Sequence, residues 1–220
     1  MAHSKAWLSW SSGKDSAWAL HALRGQGEVE IVGLLTTINR DAGRVAMHAV
    51  RESLLEAQAA VAGVPLVKVY IPSPCANEEY ERAMGEAMAQ ARSVGVTRVA
   101  FGDLFLEDVR QYRETKLAGS GIEPLFPLWG LETAELARTM VGAGLCAYLT
   151  CVDPKQLSPR FAGRAFDSDL LAELPQSVDP CGERGEFHTF ACAGPMFAAP
   201  IPVTLGEVVE RDGFVFTDLI

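Results

Sequence analysis

Apolar runs and helically spaced segments alternate along this chain, and that alternation gives the first reading of the fold. Residues 5–10 read as a strand, and 15–25 follow as a helix ending near Gly25 or Gly27. Glu30 to Thr37 is almost continuously apolar, the pattern of a strand buried on both faces of a parallel sheet. A polar loop over 39–44 leads to a helix over about 47–62, a strand at 65–72 and a long helix over 77–95. In that helix Tyr80, Met84, Ala87, Met88 and Ala91 share one stripe, which reads as core packing. Residues 98–103 form a further strand, closing on Gly102 and Asp103. The spacing predicts an α/β fold, a doubly wound parallel sheet.

After Asp103 the character changes. Residues 106–114 are charged with helical spacing, 124–130 form a stiff apolar loop, and a helix over 132–143 leads to a strand at 145–152. The stretch 155–178 is rich in Pro, Gly and Asp, with a short helix near 167–173, and a last strand is expected at 187–192. No low-complexity linker or internal repeat intervenes. The expected division is one domain over 1–120 and a smaller C-terminal α+β domain over 121–220, packed directly together with the cleft between them. The apolar, Pro-rich segment from Pro195 to Pro202 is expected to cap the core or to form a homodimer contact.

Composition narrows the class. A 49% hydrophobic and 21% charged chain can bury a sizeable core. No run approaches the ~20 apolar residues that span a bilayer, and no apolar signal region precedes the first strand, so no membrane role and a cytoplasmic location are expected. A net charge of −9 argues against nucleic acid as the main partner. The cysteines (Cys75, Cys146, Cys151, Cys181 and Cys192) include no C-x-x-C pair, which weakens zinc, iron–sulfur and tRNA-thiolation readings.

Chemistry concentrates where the first strand meets its helix, at Ser11-Ser12-Gly13-Lys14-Asp15-Ser16. A loop of small residues at a helix N-terminus directs backbone N–H groups and the helix dipole at an anion. Gly13 permits close approach to a phosphate, Lys14 adds positive charge, and Ser11, Ser12 and Ser16 carry hydroxyl donors. Asp15 repels a phosphate unless Mg²⁺ lies between them or Asp15 caps the helix. The pattern is not a Walker A loop, since Leu8 precedes the Gly-Lys pair by five and Asp15 follows it. It resembles the PP-loop, Ser-Gly-Gly-x-Asp-Ser, of the ATP pyrophosphatases, with Ser12 standing at the first Gly. The alternative is a Ser-rich helix cap. Leu35, Thr36 and Thr37, at the carboxyl end of the second strand, are candidates to hold the adenine. His48 reads either as a surface imidazole or as a contact at the mouth of the sheet, and spacing favours the former.

The other dense stretch is Asp179 to Phe190, where Glu183, Glu186, Arg184 and His188 lie among glycines, a better binding loop than core segment. In order along the chain, the PP-loop, Gly102-Asp103 with Glu107 and Arg110, Pro127-Leu128-Trp129, and Gly182-Glu183-Arg184-Gly185-Glu186-Phe187 resemble the diphthine–ammonia ligase family of PP-loop ATPases. The resemblance covers nearly the whole chain. It implies an ATP-binding α/β domain of adenine nucleotide alpha hydrolase type, a C-terminal substrate domain, and ATP-dependent amide formation. Ammonia would replace a carboxylate oxygen of diphthine on elongation factor 2, with release of AMP and pyrophosphate.

On that reading ATP and Mg²⁺ are the cofactors, and Ser11 to Ser16 with Gly102 bind the nucleotide. Lys14, Asp15, Asp103, Glu183, Glu186 and His188 are the catalytic candidates, Asp15 is the metal ligand, and His188 is a candidate to deprotonate ammonium. The chain departs from the family pattern at Asp108-Val109 and at His188, where family members tend to carry a carboxylate. Another acid substrate, or an adenine-nucleotide binder without turnover, are the competing expectations.

Overall fold

In the computed structural model, which describes residues 3–220, the first half forms a largely parallel sheet. Its strands are β1 (Ser4–Ser9), β2 (Val29–Asn39), β3 (Arg44–Val45), β4 (Leu66–Ile71), β5 (Val96–Ala100) and β6 (Glu123–Leu125). β2 and then β4 lie on one side of β1, while β5 and then β6 lie on the other, all in parallel pairs. The short β3 runs antiparallel to the end of β2. The winding therefore reverses between β1 and β5, where open α/β sheets bind ligands at their carboxyl edge.

Both faces are covered, which explains the continuous apolar runs. Ala6, Leu8, Leu34 and Ile38 pack with helices α1 (Lys14–Gln26) and α2 (Glu52–Ala62). Trp7, Leu35, Val99 and Phe101 point the other way, towards α3 (Asn77–Ser93) and α4 (Glu107–Leu117), where Ala87, Ala91 and Leu117 join them. The alternation of Ala6, Trp7 and Leu8 between the cores follows from the two-residue period of a strand.

The second half adds helices α5 (Thr133–Gly142) and α6 (Ser168–Glu173) and a second sheet of β7 (Cys146–Val152), β8 (Phe187–Ala193), β9 (Leu205–Arg211) and β10 (Phe214–Leu219). Its order is β8-β7-β10-β9, antiparallel throughout. The α/β class with a smaller second sheet is thus the architecture expected. The larger core is shared by both halves, with Leu149, Phe161 and Phe190 joining Leu20 and Leu55. Met196 and Ile201 are buried in it, so the Pro-rich segment caps the core.

Three differences from the sequence reading have physical causes. The second helix begins at Glu52, not near residue 47, because Met47 and Ala49 adopt positive φ (64° and 55°) and form a turn. Glu123–Leu125 is a strand that takes in the first two residues of the expected 124–130 loop, and Pro124 is tolerated because β6 is an edge strand. The β9–β10 hairpin had no expectation, since β9 is exposed at almost every position and shows no apolar alternation. The Asp212-Gly213 pair was its available signal: both have positive φ, as a tight hairpin turn requires. No helix among the described residues is long and apolar enough to cross a membrane.

Candidate active site

The loop between β1 and α1 is held open by contacts from distant elements. Ser12 sits at φ 69°, the left-handed region that explains why the PP-loop pattern places Gly there. Its carbonyl accepts from the Ala191 N–H at 3.0 Å and from Nε2 of Gln58 at 2.9 Å, whereas its buried hydroxyl has no partner. Gln58 also accepts from the Trp10 indole at 3.0 Å and donates to the Ala191 carbonyl. Gly13 leaves little room: a Cβ there would lie 3.2 Å from Cε1 of His48 and 3.3 Å from both Oγ of Ser11 and the Thr189 carbonyl. The Lys14 N–H donates to Oγ1 of Thr189 at 3.0 Å, and Oγ of Ser16 donates back to the Gly13 carbonyl.

Four loops converge on one cavity of about 260 Å³, and Ser11, Lys14, Asp15, His48, Asp103 and Glu183 are among its lining residues. Ser16, Gly102 and His188 also line it. Gly102 is required because a Cβ would lie 3.0–3.1 Å from the Asp15–Ser16 backbone. Gly182 is required by φ 70° and by the Phe187 carbonyl, 2.8 Å from where its Cβ would stand. Ser12 and Gly13 shape the loop from behind. Leu35 lines a neighbouring apolar chamber that shares Phe101 and Arg113 with this cavity, while Thr36 is buried and donates to the Trp10 carbonyl. The Thr37 carbonyl accepts from Ala46. Glu186 is turned inward, where its carboxylate accepts from the backbone N–H groups of Asp179 (2.8 Å) and Arg184 (2.9 Å) and so shapes the 179–186 loop.

Charge in the cavity is tightly arranged. Nζ of Lys14 donates to the Asp15 carboxylate at 2.8 and 3.0 Å and to the Cys181 carbonyl, and lies 5.4 Å from the ring centroids of Phe166 and Phe187. Burial opposes the Lys14 charge, but neighbouring Asp15, Cys181 and Glu183 outweigh it and raise its pKa. Asp15 and Asp103 are also raised, chiefly by burial and against the opposing charges of Lys14 and Arg113 respectively. Oε1 of Glu183 accepts from the Leu104 N–H at 2.7 Å, and burial, with Asp15 and Asp103 adding repulsion, pushes it up to about 7.

Among the described residues no three His, Cys, Asp or Glu side chains gather closely enough to form a metal site by themselves. Carboxylates that repel one another beside a phosphate loop nevertheless suit Mg²⁺, which commonly takes one or two carboxylates and completes its shell with phosphate oxygens and water. The donor set fits.

His48, favoured as a surface residue on spacing, is in the cavity wall. Its ring lies 4.6 Å from that of His188, and its Nδ1 is 3.3 Å from the Thr189 carbonyl. Burial, His188 and Lys14 lower His48 to about 3, and burial with Lys14 lowers His188 to about 4. Both rings are neutral near pH 7, and His188 is far too weak a base to deprotonate ammonium in bulk. Gln58, Thr189 and Arg113 were not anticipated. Gln58 had one available signal, a polar residue within the buried stripe of Leu54, Leu55, Ala59 and Ala62.

The comparisons with known proteins cover both halves. Residues 4–123 match the diphthamide synthase N-terminal domain, and residues 132–216 match the diphthamide synthase C-terminal domain. The chain belongs to the diphthamide synthase family. It is 32% identical over 100 residues to the diphthine–ammonia ligase of Homo sapiens, a match covering 43% of this chain and 38% of that protein. It is 29% identical over 149 residues to the one of Danio rerio, covering 66% of this chain and 58% of that protein. With the Schizosaccharomyces pombe enzyme it shares 33% over 95 residues, or 41% of this chain and 16% of that protein. The matched stretches thus cover less than two thirds of each of these relatives.

Proposed function

We propose that this chain is an ATP-dependent ligase that joins ammonia to a carboxylate, with diphthine on elongation factor 2 as the acid substrate. The observation that carries the reading is the convergence of the Ser11–Ser16 loop, the Gly102–Asp103 turn and the Gly182–Thr189 segment on one charged cavity. A phosphate loop alone indicates nucleotide binding. Two further loops bearing Asp103, Glu183 and His188 give it a place for a second reactant. The relatives are named for this reaction.

The substrate carboxylate oxygen attacks the α-phosphorus of ATP, the bond to the bridging oxygen breaks, and pyrophosphate leaves. Ammonia then attacks the acyl carbon of the acyl-adenylate, AMP departs with the bonding electron pair, and one proton is released. Lys14 and the loop N–H groups stabilise charge on the phosphates and leaving group. The apolar chamber beside Leu35 and Phe101 is the seat assigned to the adenine. Asp15 and Asp103 are assigned to Mg²⁺, which when bound neutralises phosphate charge. Glu183 faces the substrate side, and Glu186 acts through the loop it holds. The setting is cytoplasmic, and the division of labour follows two domains close to the 1–120 and 121–220 division, with the first extended to include β6 (Glu123–Leu125).

Mass spectrometry of diphthine-bearing elongation factor 2, incubated with the protein, ATP, Mg²⁺ and ammonium, tests the assignment. Conversion of the carboxylate to a carboxamide that requires both ATP and ammonium is expected. An unchanged factor alongside AMP formation with another acid redirects the substrate, and an unchanged factor with no AMP refutes the reading.

A further inference from the structure

Ammonia carries a single lone pair, which must stay free to attack, so a seat for it must accept its N–H bonds. The seat must also avoid binding a proton itself. The neighbouring imidazoles of His48 and His188 meet both conditions. Their ring centroids lie 4.6 Å apart with the planes tilted by 40°, and both line the cavity that Lys14 and Asp15 also line. The Thr189 carbonyl, 3.3 Å from Nδ1 of His48, can only accept, so Nδ1 carries the hydrogen and Nε2 keeps its lone pair. Among the described residues, neither this Nε2 nor either ring nitrogen of His188 has a hydrogen-bond partner.

The placement of His48 is built rather than incidental. Met47 and Ala49, on either side of it, hold positive φ, a conformation that persists only where surroundings enforce it. The Ala49 carbonyl accepts from Arg44 at 2.7 Å, and Asp218 on β10 binds Arg44 at 2.8 Å and Arg51 at 2.5 Å. One carboxylate thus ties both ends of the turn to the second sheet. The charged group that acts on both rings is Lys14, whose positive charge works against a second cation beside them.

Resting on the ligase reading, we propose that the His48–His188 pair is the ammonia subsite, with Nε2 of His48 and a ring nitrogen of His188 accepting N–H bonds from neutral NH₃. The imidazoles hold the nucleophile; they do not deprotonate ammonium. His48 is thereby a binding residue, and Asp218 a positioning residue acting through the turn.

The test is steady-state turnover of diphthine-bearing elongation factor 2 with ammonium chloride varied. The His48→Phe variant keeps a ring but no acceptor, and its KM for ammonium should rise by about tenfold or more while that for ATP shifts by less than about twofold. His188→Leu should give the same split and serves if His48→Phe does not fold. In the wild type, KM expressed as total ammonium should fall about tenfold for each pH unit between about 6 and 8, because the neutral fraction grows by that factor. An ammonium KM unmoved in both variants, or one flat with pH, overturns the subsite. ATP–pyrophosphate exchange without ammonium separates the failures: exchange with an unmoved KM removes the subsite alone, and no exchange in the wild type removes the ligase reading with it.

Discussion

The backbone N–H of Lys14 donates to the hydroxyl of Thr189 at 3.0 Å, across 175 positions of sequence. That bond joins the first turn of the helix behind the phosphate loop to the second sheet. Thr189→Val keeps the shape and removes the acceptor, leaving a buried N–H unpaired at a cost of about 1–3 kcal/mol. Denaturant unfolding should show that loss, together with a raised KM for ATP. Unchanged stability would contradict the clamp.

Ser12→Gly should stabilise the protein. Ser12 occupies the left-handed region at φ 69° and buries a hydroxyl without a partner. Removing the side chain relieves about 1 kcal/mol after allowing for the extra backbone entropy of glycine. The midpoint of thermal unfolding should rise by a few degrees, and a fall would refute the strain.

Gly102→Ala should do the reverse. Its Cβ would meet backbone atoms of Asp15 and Ser16 at 3.0–3.1 Å, and helix backbone does not yield as a side-chain tip does. A loss of about 1–3 kcal/mol is expected, with kcat/KM for ATP falling because the phosphate loop is displaced. Thermal melts and ATP titrations check the two effects.

Two groups of titrating residues bend the stability profile in opposite directions. Burial holds His48 at about 3 and His188 at about 4, so below pH 6.5 the unfolded chain takes up protons that these rings refuse. Their contribution to stability is therefore lost as pH falls from 6.5 towards 4. His188→Gln should lessen the loss measured between about pH 7 and about pH 5. Glu183, raised from 4.5 to about 7, keeps its proton in the folded state and loses stability as pH rises through that window. Glu183→Gln still accepts from Leu104 and should gain on the wild type as pH rises from about 5 to about 8. Parallel profiles for variant and wild type would refute either assignment.

The strand–loop–helix around Lys14 was legible because its signals are local: an apolar run, then small residues, then helical spacing. His48 was not. Its place depends on positive φ at Met47 and Ala49 and on Asp218, 174 positions from Arg44, none of which periodicity records. Composition marked Glu183 and Glu186 alike, yet backbone N–H groups turn Glu186 inward while Glu183 lines the cavity. The direction of a loop carboxylate depends on which amides reach it, and that is settled by the fold. The β9–β10 hairpin escaped because an exposed edge strand has no buried face to pattern it.

The proposed ligase activates its acid substrate by cleaving ATP between the α and β phosphates. Nucleotide analysis after incubation with ATP, Mg²⁺, ammonium and diphthine-bearing elongation factor 2 shows whether that bond is the one broken. AMP and pyrophosphate should form, dependent on the factor and lost in Lys14→Ala. ADP and inorganic phosphate in their place would contradict this cleavage.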